Sequence, residues 1–211
     1  NFGIITTGDE LVDIGSNCSG DKRYASNLYT SIALIEELNM DHTNFGICND
    51  NKNDLRDVIH TSLHSNIDFL ITSGGVSVGK FDFVMEVLKE LGAEIIFWKV
   101  NIKPGKPLLF AKIDIKGKKK LIFGLPGNPV SSFVNFHLFI KNILTESYSH
   151  SSRRTITAEL VNDLKKNDLK RHFIRGIVDQ NGNSGKYFVK EIENQSSSNM
   201  MGLSVSNALI T

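Results

Sequence analysis

Over its first 146 residues the chain alternates short apolar runs with stretches of helical period, and this alternation limits the possible folds more than any single motif. Phe2-Gly-Ile-Ile-Thr6, residues 43–47 and residues 67–72 read as strands. Between and after them, Leu28, Ile32, Ile35 and Leu38, then Leu55, Val58, Ile59 and Leu63, then Val84, Val87, Leu88 and Leu91 recur at helical spacing. Ser26 stands where the first helix wants a cap, Asn53 and Asp54 play that part for the second, and Gly92 stops the third. Strand and helix in strict turn give neighbouring parallel strands joined by right-handed crossovers, with helices on both faces of one sheet. The expected fold is therefore α/β, a three-layer, mostly parallel sheet. Residues 94–100, 107–113 and 120–123 add strands, and residues 130–144 close the unit as a helix. The lysine run 116–120 reads as a solvated hairpin tip.

Beyond the serine-rich stretch 147–152 the helical period gives way to alternation at 155–161, 173–178, 187–192 and 208–211. This change predicts an α/β domain over residues 1–148 and a small, β-barrel-like C-terminal domain over residues 153–211.

Composition removes several functional classes. With 24 Lys+Arg against 23 Asp+Glu, there is no global charge to draw the chain to nucleic acid or to an acidic membrane. No apolar run approaches the roughly 20 residues of a membrane span. Cys18 and Cys48 have no ligand spacing around them, which fits a reducing cytoplasm. Asn1 is neither an initiator Met nor the start of a signal pattern, and a strand already begins at Phe2, so the expectation is a longer parent extending upstream.

In an open α/β sheet, ligands bind beyond the carboxyl ends of the strands. Four loops are predicted at that edge: Thr7-Gly8-Asp9-Glu10, Asn49-Asp50-Asn51, Ser73-Gly74-Gly75 running on through Ser77 to Asp82, and Lys103-Pro104-Gly105-Lys106-Pro107. Asp9, Glu10, Asp50 and Asp82 repel one another unless a cation neutralises them, and Mg²⁺ is the usual partner beside phosphates. The glycines expose backbone N–H groups and the lysines add positive charge, both suited to an oxyanion. The functional reading is a Mg²⁺-dependent reaction on a phosphate-bearing ligand, although each acidic residue taken singly also suits a turn or cap.

Rival constellations are weaker. Phe81 stands where a phosphate-binding G-x4-G-K-[ST] loop needs a hydroxyl. His60 and His64 lack the Glu and third ligand of a zinc site. Ser131, Ser132 and His137 lack a nucleophile elbow. Lys170-Arg-His-Phe173 is too short to bind single-stranded nucleic acid.

Thr7-Gly-Asp-Glu-Leu11, Ser73-Gly-Gly-Val-Ser-Val-Gly79 with Asp82, Lys103-Pro-Gly-Lys-Pro107 and Leu125-Pro-Gly-Asn-Pro-Val-Ser131 together resemble the molybdopterin molybdenumtransferase family. These are the molybdenum insertases, to which the gephyrin E domain is related. Gln195-Ser-Ser-Ser and Asn207-Ala-Leu-Ile210 extend the resemblance to the end of the chain. It implies Mg²⁺-dependent insertion of molybdenum from molybdate into adenylylated molybdopterin, with release of AMP. Glu10, Asp50 and Asp82 would handle Mg²⁺ and the pyrophosphate. Lys103, Lys106 and Ser131 would bind anions, and Gly74, Gly75 and Ser77 would cradle phosphate or pterin. Thr7, Gly8 and Ser73 complete the substrate set, while Pro126 and Pro129 shape the loop carrying Asn128. The resemblance also implies a homodimer with two further N-terminal domains, while the charge balance and cysteine usage give the expectation of a cytoplasmic protein with no nucleic-acid or membrane partner. Ala25 departs from the family, which has Asp before the Ser-Asn that opens the first helix. A non-catalytic dimerising, peptide-holding scaffold of the gephyrin type and a molybdopterin adenylyltransferase are the alternatives.

Overall fold

The computed structural model describes residues 1–76, 83–148, 155–182 and 184–211. In chain order it runs β1 (Phe2–Thr7), β2 (Leu11–Val12), β3 (Arg23–Tyr24), α1 (Ser26–Glu37), β4 (His42–Cys48), α2 (Lys52–His64), β5 (Phe69–Ser73), α3 (Val84–Glu90), β6 (Glu94–Trp98), β7 (Ile102–Lys103), β8 (Leu109–Ile115) and β9 (Lys118–Leu125). There follow α4 (Pro129–Asn135), a π turn over Phe136–Ile140, α5 (Lys141–Tyr148), β10 (Glu159–Leu160), β11 (Arg171–His172), β12 (Ile174–Gln180), β13 (Tyr187–Glu191), α6 (Met201–Val205) and β14 (Ala208–Ile210). By internal contacts the chain forms two compact units, residues 1–100 with 107–128, and residues 101–106 with 129–211.

The first unit is built on a six-stranded sheet in the order β4-β1-β5-β9-β8-β6. β4, β1, β5 and β9 are parallel neighbours; β8 runs against β9 and β6 against β8, so β8 alone opposes the rest. Side chains alternate across such a sheet. Ile5, Leu70, Ile122 and Ala111 face one side, where they pack with Leu55, Ile59 and Leu63 of α2 and Val84, Val87 and Leu88 of α3. Neighbouring positions Ile4, Ile71, Phe123 and Phe110 turn to the other side, which α1 covers over β1 and β4. This is the expected mostly parallel α/β sheet with helices on both faces.

Local details differ from expectation. The residue before α1 is Ala25, with no side-chain cap; Ser26 already belongs to the helix. Asn51, not Asn53, caps α2, its side chain accepting from Asp54 N at 2.9 Å. Lys120 is not solvated: it is 4% exposed, and its Nζ donates to Ser65 O at 2.7 Å and Ile67 O at 2.8 Å. A long apolar stem lets a lysine cross a packed layer provided its ammonium finds carbonyls.

The second unit contains a four-stranded sheet, β10-β13-β12-β14, with antiparallel β12–β13 and β12–β14 pairs and a parallel β10–β13 pair. Of the strand expected over 155–161 only Glu159–Leu160 forms. Arg175, 1% exposed, pins the following loop, donating to Asn199 O at 2.7 Å and to Asn194 O and Ser196 O at 3.0 Å each. Among the described residues, no helix is long and apolar enough to cross a membrane.

Candidate functional site

In the first unit, β1, β4, β5 and β9 end on one edge, and the loops leaving them are tied together. Gly8 N donates to Cys48 O at 3.1 Å, which joins the loops after β1 and β4. The Thr7 hydroxyl donates to Asp50 Oδ1, and Asp50 N donates to Asp9 Oδ1 at 2.9 Å. Glu10 is exposed beside them, its carboxylate over the bare Cα of Gly8, where an added Cβ would lie 2.8 Å from Oε2. Gly74 has φ +94°, and a Cβ there would meet Thr7 O at 2.5 Å; its N–H donates to Leu125 O at 3.1 Å. Only glycine allows the loop after β5 to approach β1 this closely. Asn27, buried at the start of α1, donates through Nδ2 to Ser73 Oγ and to Gly127 O, both at 2.8 Å. Pro126 is buried, whereas Asn128 is exposed. Ser77 and Asp82 lie outside the described residues.

The edge carries negative charge. The Cys48 thiol is pushed up to about 11, first by burial and then by the fields of Asp54, Asp50 and Asp9. It remains protonated at neutral pH and is no nucleophile. No group of three or more His, Cys, Asp or Glu forms a ready cage among the described residues. Asp9, Glu10 and Asp50 offer oxygen donors alone, the donor chemistry of a hard cation such as Mg²⁺, which keeps several waters and needs only one or two carboxylates beside substrate phosphates.

The remaining candidates belong to the second unit. Lys103 and Lys106 are exposed on the segment 101–106. β7 pairs in parallel with β11, Ile102 opposite Arg171 and Lys103 opposite His172. Arg171 N donates to Asn101 O at 3.0 Å and Phe173 N to Lys103 O at 2.8 Å, so this backbone is held from one side. At the turn, Asn135 Nδ2 donates to Gly105 O at 2.9 Å, and a Cβ on Gly105 would lie 2.7 Å from Asn135 Oδ1. Pro129 opens α4 and Ser131 is buried in its first turn; Val130 N donates to Ser197 O at 3.0 Å.

Residues 3–146 match the family described as "Probable molybdopterin binding domain", and residues 157–211 match "MoeA C-terminal region (domain IV)". The chain belongs to the molybdopterin-binding domain family. Among curated members, "Molybdopterin molybdenumtransferase" of Haemophilus influenzae is 36% identical over 144 residues, covering 68% of this chain and 34% of that protein. The protein of the same name from Bacillus subtilis is 32% identical over 210 residues, covering 99% of this chain and 47% of that one. A crystal structure of a molybdopterin biosynthesis MoeA protein from Pyrococcus horikoshii superposes with a TM-score of 0.79 at 25% identity, over 99% of this chain and 49% of that one. The chain therefore spans about a third to a half of the length of the curated relatives it matches.

Of the sequence-predicted residues of this molybdopterin-binding domain, the structure gathers Thr7, Gly8, Glu10, Asp50, Ser73 and Gly74, with Gly75 next in the chain, at the strand ends of the first unit. Lys103, Lys106, Pro129 and Ser131 fall in the second. Sequence reasoning passed over two residues. Asn27 was visible only as part of a helix-opening dipeptide, and its bonds to two distant loops need the fold. Asp168, which touches both His172 and Lys103, carries no motif at all.

Proposed function

We propose that this chain is part of a molybdenum insertase, which transfers molybdenum from molybdate into adenylylated molybdopterin and releases AMP. The observation carrying this reading is the set of carboxylates, Asp9 and Glu10 exposed and Asp50 half-buried, braced around Gly8 and Gly74, in a chain of the molybdopterin-binding family whose curated relatives are named molybdenumtransferases. The match of residues 157–211 to the MoeA C-terminal region favours this reading over a free-standing adenylyltransferase.

Mg²⁺ bound at this edge would offset the charge of the pyrophosphate and polarise the phosphoanhydride. Glu10 and Asp50 are the residues to hold it, with Asp82 as the third carboxylate by motif. Thr7 fixes the orientation of Asp50 by donating to Oδ1. Asp9 is committed to the backbone of Asp50 and acts as a brace. The side-chain-free floor at Gly8, Gly74 and Gly75 lets phosphate or pterin approach the backbone closely, and Asn27 holds two walls of that floor together. Lys103 and Lys106 supply cations for the molybdate dianion. By the same resemblance the full-length parent is read as a homodimer, and the two unspaced cysteines of this chain fit a cytoplasmic protein.

The test uses that parent, loaded with molybdopterin-adenylate. Molybdate and Mg²⁺ together should trigger AMP release, and Glu10→Ala and Asp82→Ala should each slow it about 10–100-fold. AMP release that ignores molybdate, or that both variants leave unchanged, sinks the reading.

A further inference from the structure

Asp168 stands in the turn before β11 and is anchored through one oxygen. Its Oδ1 accepts from Lys170 N at 3.0 Å and lies 2.7 Å from His172 Nε2, a distance at which the ring donates. The other oxygen, Oδ2, faces Lys103 Nζ at 3.5 Å and Lys170 Nζ at 4.0 Å. These separations exceed the roughly 2.7–2.9 Å of a charge-assisted hydrogen bond. The anchor is fixed and the lysine is not: the His172 side chain is 14% exposed, that of Lys103 59%. Pairing of β7 with β11 sets Lys103 opposite His172, and Phe173 N bonds Lys103 O at 2.8 Å. The backbone of Lys103 is thus rigid with respect to Asp168, while its ammonium is held only by charge.

We infer that Asp168 is a positioning residue for Lys103, an internal carboxylate that holds the lysine of the Lys-Pro-Gly-Lys-Pro segment until a tetrahedral dianion draws it away. The inference rests on the reading that Lys103 binds the oxyanion. A free monoanion offers Lys103 no more charge than Asp168 does, and it lacks the advantage of being tethered to the same fold. A dianion doubles the Coulomb attraction at equal distance and prevails. Asp168 thereby sets the affinity of Lys103 for anions: it weakens every anion by the same factor, and molybdate binds because its own attraction to the ammonium is the larger. The carboxyl is held at about 2, chiefly by its hydrogen bond with His172 and then by Lys170 N, with the charges of His172 and Lys103 adding to this, so the internal competitor stays ionised at neutral pH.

Equilibrium dialysis of sodium molybdate against the full-length parent, at fixed ionic strength and with nitrate as a monovalent competitor, tests this. Asp168→Asn keeps an acceptor for Lys170 N but removes the charge. It should tighten molybdate binding about two- to fivefold, the range of an exposed ion pair. Nitrate, competing for the same ammonium, should strengthen by the same factor. Asp168→Glu should restore the wild-type affinity, and in a Lys103→Met background Asp168→Asn should have no effect. If Asp168→Asn weakens binding or leaves affinity unchanged, while Lys103→Met weakens binding, the inference is overturned and the oxyanion reading of Lys103 stands. If Lys103→Met also leaves molybdate binding unchanged, or the wild-type parent binds none, that reading fails instead.

Discussion

Gly74 shows how much of the candidate site depends on an absent side chain. Its φ of +94° and the 2.5 Å that would separate an added Cβ from Thr7 O leave no room for alanine without moving β1 or β5. Gly74→Ala should therefore cost about 1–3 kcal/mol in a urea unfolding series. The two cysteines separate by the same local logic. Cys48 is buried among carboxylates and stays a thiol, whereas Cys18 is partly exposed. An Ellman titration of the native protein should modify Cys18 alone, with Cys48 reacting only after unfolding. Asp168 gives a pH signature. Its folded value of about 2 lies below the ordinary 3.8, so its contribution to stability is complete above 3.8 and disappears as pH falls towards about 2. Acid-unfolding curves of the wild type and Asp168→Asn should therefore differ at neutral pH and converge below about pH 2.

At the scale of elements, Lys120 links the end of α2 to the sheet. It reaches from β9 to carbonyls at Ser65 and Ile67, just past the helix, where a cation also meets the negative end of the helix dipole. Lys120→Met keeps the stem but strands two carbonyls, and should cost about 1–3 kcal/mol by thermal or urea unfolding. This lysine also marks the limit of what sequence discloses. Periodicity located α1, α2 and α3 because their buried positions recur at helical spacing, as Leu55, Ile59 and Leu63 do, whereas β1 and β5, buried along nearly their whole length, read as short apolar runs. A lysine in a basic run follows no such rule, since only the tertiary position of the Ser65 and Ile67 carbonyls decides that it is buried. Asn51 rather than Asn53 caps α2 for a similar reason: both residues suit a cap, and the extended backbone at Asn51 selects between them. The glycine and acidic motifs of the site were legible because strand ends imply an edge. The Asp168–Lys103 pair was not, because a two-residue strand pairing some seventy positions apart leaves no periodic trace.

The molecule as a whole is not two consecutive stretches of chain. The first unit is interrupted after Val100, resumes at Pro107 and ends at Asn128, while residues 101–106 belong with the second. A protein cut after residue 148 would retain the six-stranded sheet yet lack β11, the partner of β7. Limited proteolysis of such a truncation should cleave within 101–106 far faster than in the complete chain, with the core of the first unit surviving. The same interleaving affects synthesis. Ile102 leaves the ribosome well before Arg171, and at about 5–20 residues per second the Lys-Pro-Gly-Lys-Pro segment waits on the order of 3–14 s for its partner strand. Once β9 has emerged, the nascent protein holds every strand of the α/β sheet with one unpaired lysine-bearing segment, a form that a ribosome-bound chaperone could distinguish from the completed chain.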